Sequence, residues 1–242
     1  ERALQKSVAE RRIIVSDGVF SMDGDCADVP VLLALAEQYD ALLLLDDAHG
    51  FGVLGEGGRG LTSMPDDKPV PGNRPDCKEN EMAGHPRLIE VGTCGKALGS
   101  YGAFILGTSE LIEGLRQSLR TMTYSTALPP AVCAASLAAL HVVQQSDVVA
   151  RLLTRIELFR GLASEHGLEL MSSTTPIQPL LLGSDSAALD ASRALQDAGF
   201  FVSAIRPPTV PEGTSRLRIT LSSAHEEADI RALVHALAGL QK

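Results

Sequence analysis

The stretch ALLLLDDAHGFG, residues 41–52, decides the fold. From Ala41 to Leu45 no polar residue interrupts the apolar run, so no side of the segment is left for water. A run this short, flanked by polar and turn-forming residues, reads as a buried strand rather than a helix. Continuous apolar strands of this kind belong to parallel sheets whose crossovers are helices. The run ends abruptly at Asp46 and Asp47, and small residues and His49 follow. Two carboxylates are thereby expected at the carboxyl end of a parallel strand, the edge at which open α/β sheets bind ligands.

Working outward, Arg11 to Ser16 reads as a strand and Val29 to Tyr39 as a helix, while Leu88 to Gly92 and Tyr101 to Leu106 read as further strands. Helical patterns dominate from Ser109 to about Glu165, with a break near Ser125 to Pro130. From Ile177 the order becomes strand, helix, strand, strand, helix, the pattern of a small α+β domain. Its last helix opens with Ser223 and Glu226, a capping-box spacing. The expected organisation is a mainly parallel α/β domain over residues 1–143 and a small α+β domain over 144–242. Residues 65–86, PDDKPVPGNRPDCKENEMAGHP, carry the Pro, Gly and charge of a solvated loop.

At 242 residues and 45% apolar content the chain can bury a sizeable core. A formal charge of −9 with scattered Lys and Arg excludes a polyanion-binding stripe, so no nucleic acid partner is expected. Cys26, Cys77, Cys94 and Cys133 fall at irregular spacing without CxxC, which indicates neither zinc nor a disulfide framework and fits a reducing cytoplasm. No metal site is expected. No run approaches the roughly 20 apolar residues that span a bilayer, and no membrane association is expected.

Lys96 stands in GTCGKALGSYGA, residues 92–103, after a second apolar strand. An amine and a carboxylate placed at the ends of two such strands suit a carbonyl cofactor that needs an amine anchor and an electron-sink partner, which is pyridoxal 5′-phosphate. A nucleotide loop is excluded, because Glu90 occupies the first glycine position of a P-loop and Ala97 the position of its Ser or Thr. Small residues around Lys96 permit close approach to a flat ring. On spacing alone, Asp46, Asp47 and His49 also fit a surface turn or a hard-metal site. The glycine-rich GVLGEGGRG, residues 52–60, reads as a tight turn, and no GxSxG hydrolase elbow occurs.

Five motifs occur in order: SDGVFSMDGD (16–25), DDAHGFGVLGEGGRG (46–60), GTCGKALG (92–99), YSTALPP (124–130) and AIRPPTVPEGTSRLRITLSSAHE (204–226). Together they resemble the α-oxoamine synthases, a branch of the class II pyridoxal-phosphate-dependent aminotransferase family with the fold-type I architecture. The resemblance covers nearly the whole chain, and the likeness is greatest to the branch that condenses L-alanine with a pimeloyl thioester, carried on coenzyme A or acyl carrier protein, in biotin biosynthesis. It implies a homodimer with shared active sites. Family members carry a further stretch before the position of Glu1, with a glycine-rich phosphate turn and a histidine that stacks on the cofactor ring. The expectation is therefore a large domain represented only by its C-terminal part.

The resemblance also implies roles. Asp46 pairs with the pyridine nitrogen, His49 contacts the phenolic oxygen with Ser21 beside it, Lys96 anchors the cofactor, and Thr93 turns its hydroxyl toward the phosphate. Ser125 and Thr126 reach the phosphate of the neighbouring subunit, although their place before Pro129 and Pro130 also suits a helix cap. Arg206, Thr209 and Arg218 lie in the substrate-binding region. Arg218 is the choice for the amino-acid carboxylate because a guanidinium offers bidentate recognition; Arg216, two positions away on the same strand face, competes for that role. Other α-oxoamine synthases, acting on glycine or serine, and a non-catalytic partner subunit are the alternative readings.

Overall fold

A computed structural model describes residues 1–64, 82 and 84–240. The chain forms two compact units, one of Glu1–Val19 with Cys26–Ser146 and one of Phe20–Asp25 with Asp147–Lys242. Most of the expected 65–86 loop, Cys77 included, lies outside the described residues.

The first unit opens with a short helix, α1 (Arg2–Lys6), and its described residues carry a sheet of four strands: β1 (Arg12–Asp17), β2 (Ala41–Asp46), β3 (Leu88–Thr93) and β4 (Ala103–Leu106). They lie in that order; β1, β2 and β3 run parallel and β4 antiparallel to β3. Helix α2 (Val29–Gln38) is the crossover between β1 and β2. It starts where it does because the Asp28 side chain accepts from Val31 N at 3.2 Å and Pro30 fills the first turn. Its buried Leu33 and Ala36 share the core with Leu43 and Leu45 of β2 and with Leu88 of β3. Helices α3 (Ser109–Ser118), α4 (Arg120–Thr123) and α5 (Pro130–Gln145) follow.

Two expectations are corrected here. The uninterrupted run of β2 predicts burial on both faces, yet burial alternates along it. The face that carries Leu42 and Leu44 is only half covered, and its register neighbours on β1, Ile13 and Val15, are 57% and 68% exposed. The strand expected from Tyr101 starts instead at Ala103, because Gly102 with φ +108° breaks the extended backbone just before it.

The second unit contains α6 (Val148–Glu165), β5 (Ile177–Gly183), α7 (Asp185–Asp197), β6 (Ser203–Ile205), β7 (Ser215–Thr220) and α8 (Glu227–Gly239). The sheet order is β5-β7-β6, antiparallel throughout. Phe159 and Ile156 of α6, Leu217 and Ile219 of β7, and Val234 and Leu237 of α8 are buried in its core. Arg155 on α6 ties to Glu227 at 2.8 Å and to His225 O at 2.9 Å. The capping box expected from Ser223 does not form: α8 starts at Glu227 with Glu226 at the N-cap and no side-chain cap. The turn before it is closed instead by Ser222 Oγ, which accepts from Ala224 N, and by His225 Nδ1, which accepts from Ser222 N.

Candidate active site

Asp46 is the last residue of β2, in register with Asp17 on β1 and Val91 on β3. Because successive side chains of a strand face opposite ways, Asp46 shares the half-covered face with Val91 and, two residues on, with Thr93. Its Oδ1 accepts from Ala48 N at 3.0 Å, which starts the turn that presents His49. Gly50 N and Phe51 N both donate to Asp47 O, closing that turn. His49 is half-buried within it.

Lys96 follows the end of β3 in a loop held at its base by Cys94 N donating to Gly102 O at 2.9 Å and Ser100 N donating to Cys94 O at 2.8 Å. Its side chain is exposed. The Thr93 hydroxyl donates to Gly102 O at 3.1 Å and accepts from Gly95 N at 3.2 Å, so it also shapes this loop. Gly52 packs so closely on Ala97 that a side-chain carbon added there would stand 2.6 Å from Ala97 Cβ. The His49 turn and the Lys96 loop are thereby brought together at the carboxyl end of β2 and β3.

Ser125 and Thr126 lie between α4 and α5, both exposed, with Ser125 Oγ donating to Thr126 O at 3.2 Å. They do not cap α5, whose N-cap is Pro129, and no hydrogen bond among the described residues joins them to Asp46 or Lys96. The start of α5 is tied to the Lys96 loop in another way, through Ser100 Oγ, which donates to Val132 O at 3.3 Å and lies 2.8 Å from Ser136 Oγ.

In the second unit, Arg218 on β7 donates from Nε to Ser21 O at 2.6 Å and from Nη1 to Thr220 Oγ1 at 3.0 Å. Arg216 is 4% exposed. It is ion-paired with Asp23 and donates from Nε to Thr214 O at 2.9 Å. Burial pulls both guanidinium groups below their ordinary pKa. Arg206 and Thr209 sit in the turn after β6, exposed, with Thr209 N donating to Arg206 O at 3.0 Å. Ser203 is the register partner of Arg218, so Arg206 is displaced by three residues, ~10 Å along the ladder, and is not brought to it.

Sequence reasoning passed over one buried pair. Asp47 is fully buried beneath the His49 turn, its Oδ2 accepting from Leu61 N at 2.8 Å and its Oδ1 without a hydrogen-bond partner among the described residues. Desolvation is the main cause that pushes its carboxyl up to about 7; the Leu61 N–H opposes this, and the charges of Glu90 and Asp46 add to it. Glu90, buried on β3, accepts from Thr62 Oγ1 at 3.0 Å and is also raised by burial. The signal was present in LIEVG, where an acid interrupts an apolar strand. A cavity of about 280 Å³ lined by Phe51, Thr62, Glu90, Leu140 and others lies in this unit, and none of the expected site residues lines it. No cluster of metal-ligating side chains occurs among the described residues.

Comparison with known proteins bears on this geometry. The 8-amino-7-oxononanoate synthase of Saccharophagus degradans (strain 2-40) is 46% identical over 244 residues, covering 99% of this chain and 57% of that relative. The crystal structure of 8-amino-7-oxononanoate synthase from Francisella tularensis matches with a TM-score of 0.77 at 30% identity, over 98% of this chain and 65% of that one. A serine palmitoyltransferase from S. paucimobilis, with bound PLP-myriocin aldimine, matches with a TM-score of 0.85 at 25% identity over 99% of this chain and 57% of that one. The chain thus spans a little over half the length of the relatives it matches. The family model for aminotransferase class I and II matches residues 1–237, nearly the whole sequence, and the chain belongs to that family.

Proposed function

We propose that this chain carries the catalytic groups of an 8-amino-7-oxononanoate synthase, which joins L-alanine to a pimeloyl thioester and releases carbon dioxide and the carrier thiol. The observation that supports this most is the convergence of Asp46, the His49 turn and Lys96 at the carboxyl ends of adjacent parallel strands, in a chain 46% identical to such an enzyme over 99% of its length.

The residues fit pyridoxal 5′-phosphate. The face that holds Asp46 is open, the Lys96 side chain is exposed, and the loop around it is built of small residues. When bound, that cofactor supplies an electron sink for the carbon that loses a proton and then carbon dioxide. Asp46 would supply the carboxylate that keeps a proton on the pyridine nitrogen. Lys96 would anchor the cofactor and, as a free amine, would remove the α-proton of the amino acid. His49 and Ser21 orient the phenolic oxygen, and Thr93 with Ser125 and Thr126 of a neighbouring subunit holds the phosphate. Arg218 receives the alanine carboxylate; Arg216 is unsuited, since it is buried and already paired with Asp23. Arg206 and Thr209 contact the acyl substrate. In this reading residues 1–143 form the cofactor domain and 144–242 the small domain, and the enzyme is a cytoplasmic homodimer.

Absorbance of the purified chain titrated with pyridoxal phosphate tests the anchor: a visible band absent from Lys96→Ala supports it, and a band retained by the variant overturns it. The serine palmitoyltransferase match favours, as a second reading, another α-oxoamine synthase. A panel of alanine, glycine and serine separates the two, because only the first reading requires alanine to perturb that spectrum most strongly.

A further inference from the structure

The segment Phe20–Asp25 lies in sequence between β1 and α2 of the first unit, yet it belongs to the second. Within itself it is a closed turn: Phe20 N donates to Asp25 O at 2.9 Å and Gly24 N to Phe20 O at 2.8 Å. Three independent ties hold it to the second unit. The Asp23 carboxylate is ion-paired with Arg216 of β7. Gly24 O accepts from Ser173 Oγ at 2.9 Å, and Ser173, itself buried, is fixed by Thr175 at 3.1 Å. Ser21 O accepts from Arg218 Nε at 2.6 Å. Gly24 is seated so tightly, with φ +70°, that any side chain would collide with Ile177 O and Ser173 Oγ.

These ties differ in kind. Arg216 is buried and anchored again by its Nε on Thr214 O, so losing the half-exposed Asp23 carboxylate would leave it an unpaired buried charge. The Ser21–Arg218 bond instead joins a carbonyl to a half-exposed guanidinium, whose Nη2 makes no hydrogen bond among the described residues. A fixed element therefore presents one acceptor to a side chain that keeps part of its fork open.

We propose that Asp23 and Arg216 are positioning residues: their ion pair clamps the 20–25 turn so that Ser21 O holds Arg218 by Nε, leaving the Nη2 side of the guanidinium aimed at a carboxylate ligand. The inference rests on the reading of Arg218 as the amino-acid carboxylate site and adds what preorganises it. Fixing one edge of a guanidinium removes rotamer freedom before the ligand arrives, which raises affinity without touching the ligand.

The test begins with the chain itself and needs no turnover. Solvent exchange of the Arg218 Nε–H, followed by nuclear magnetic resonance, reads the Ser21 bond directly. Asp23→Asn is expected to speed that exchange about tenfold while the backbone amides of β5 and β7 keep their protection. Unchanged Arg218 exchange in this variant overturns the proposal. Should Asp23→Asn unfold the unit, Arg216→Lys decides instead. It keeps a cation for Asp23 but loses the Nε bond to Thr214 O that fixes the pair, and it must also quicken Arg218 exchange; a wild-type rate there overturns the proposal equally. A binding arm then separates this inference from the functional reading. L-alanine affinity, measured through the cofactor spectrum, is expected to fall about tenfold in Asp23→Asn, to recover in part in Asp23→Glu, and to fall further in Arg218→Gln. If Arg218→Gln leaves alanine affinity intact while Asp23→Asn still frees the Arg218 Nε–H, the clamp stands and the carboxylate assignment fails.

Discussion

Asp46 and Asp47 are neighbours in sequence but not in environment, because the strand turns one to the half-covered face and the other into the core. The half-covered face leaves the Asp46 carboxylate within reach of a ligand. Asp46→Asn is therefore expected to let cofactor bind while α-proton exchange of alanine, followed by deuterium incorporation, falls by about two orders of magnitude or more. Unchanged exchange would transfer the role to another acid. Asp47 behaves oppositely: with a folded pKa near 7 against an ordinary 3.8, it stays protonated in the folded chain after the unfolded chain has ionised. Its contribution to stability is thus full below pH ~3.8 and is lost progressively as pH rises to ~7, a change on the order of a few kcal/mol. Asp47→Asn should remove this slope. Urea unfolding at pH 5 and pH 8 checks it: the variant must gain on the wild type as pH rises, and parallel pH profiles would mean that Asp47 is already charged in the fold.

At the scale of elements, β3 and β4 show how close packing sets the sheet edge. Gly92 is the register partner of Phe104, whose ring lies over it and meets Phe51 edge-on at 4.8 Å. A side chain at 92 would displace that ring. Gly92→Val should then cost about 1–3 kcal/mol in urea unfolding, and a smaller loss than the lower bound would show that the ring moves freely. Elements such as β2, α2 and the strand-helix-strand-strand-helix order of the second unit were legible because apolar period and turn residues specify them locally. The Asp46 and Lys96 placements were legible for the same reason: Asp46 ends one apolar strand and Lys96 lies in the loop that follows another. The attachment of Phe20–Asp25 to the second unit was not, since it depends on Asp23 meeting Arg216 across 193 positions of sequence, and no periodicity encodes such a pairing. The capping box did not form for a local reason: Ser222 and His225 close the turn before α8 by bonds that the spacing of Ser223 and Glu226 did not reveal.

The whole molecule carries an apolar face that its own described residues leave open. Ile13 and Val15 on β1 and Ile105 on β4 are exposed on the side of the sheet that bears Asp46, and Leu137, Val142 and Tyr124 are exposed on and before α5. Isolated apolar residues on a surface need no explanation, but a contiguous sheet face does. Among the described residues β1 is an edge strand, a further invitation to pairing. The relatives are longer than this chain, which spans 57% of the Saccharophagus degradans enzyme, so the remaining part of such an enzyme is the natural cover to try. Residues 1–242 alone are expected to self-associate, to bind an apolar dye strongly and to hold pyridoxal phosphate weakly. Supplying the unmatched portion of a relative, fused or as a separate polypeptide, should suppress dye binding, give a defined species by sedimentation and bring condensation of alanine with pimeloyl thioester together in one step. Those three changes are expected together because a cover seated on this sheet face would also close the side that carries Asp46. Dye binding that falls without any gain in cofactor affinity would separate the cover from the site, and full activity from residues 1–242 alone would show that the open face needs no cover at all.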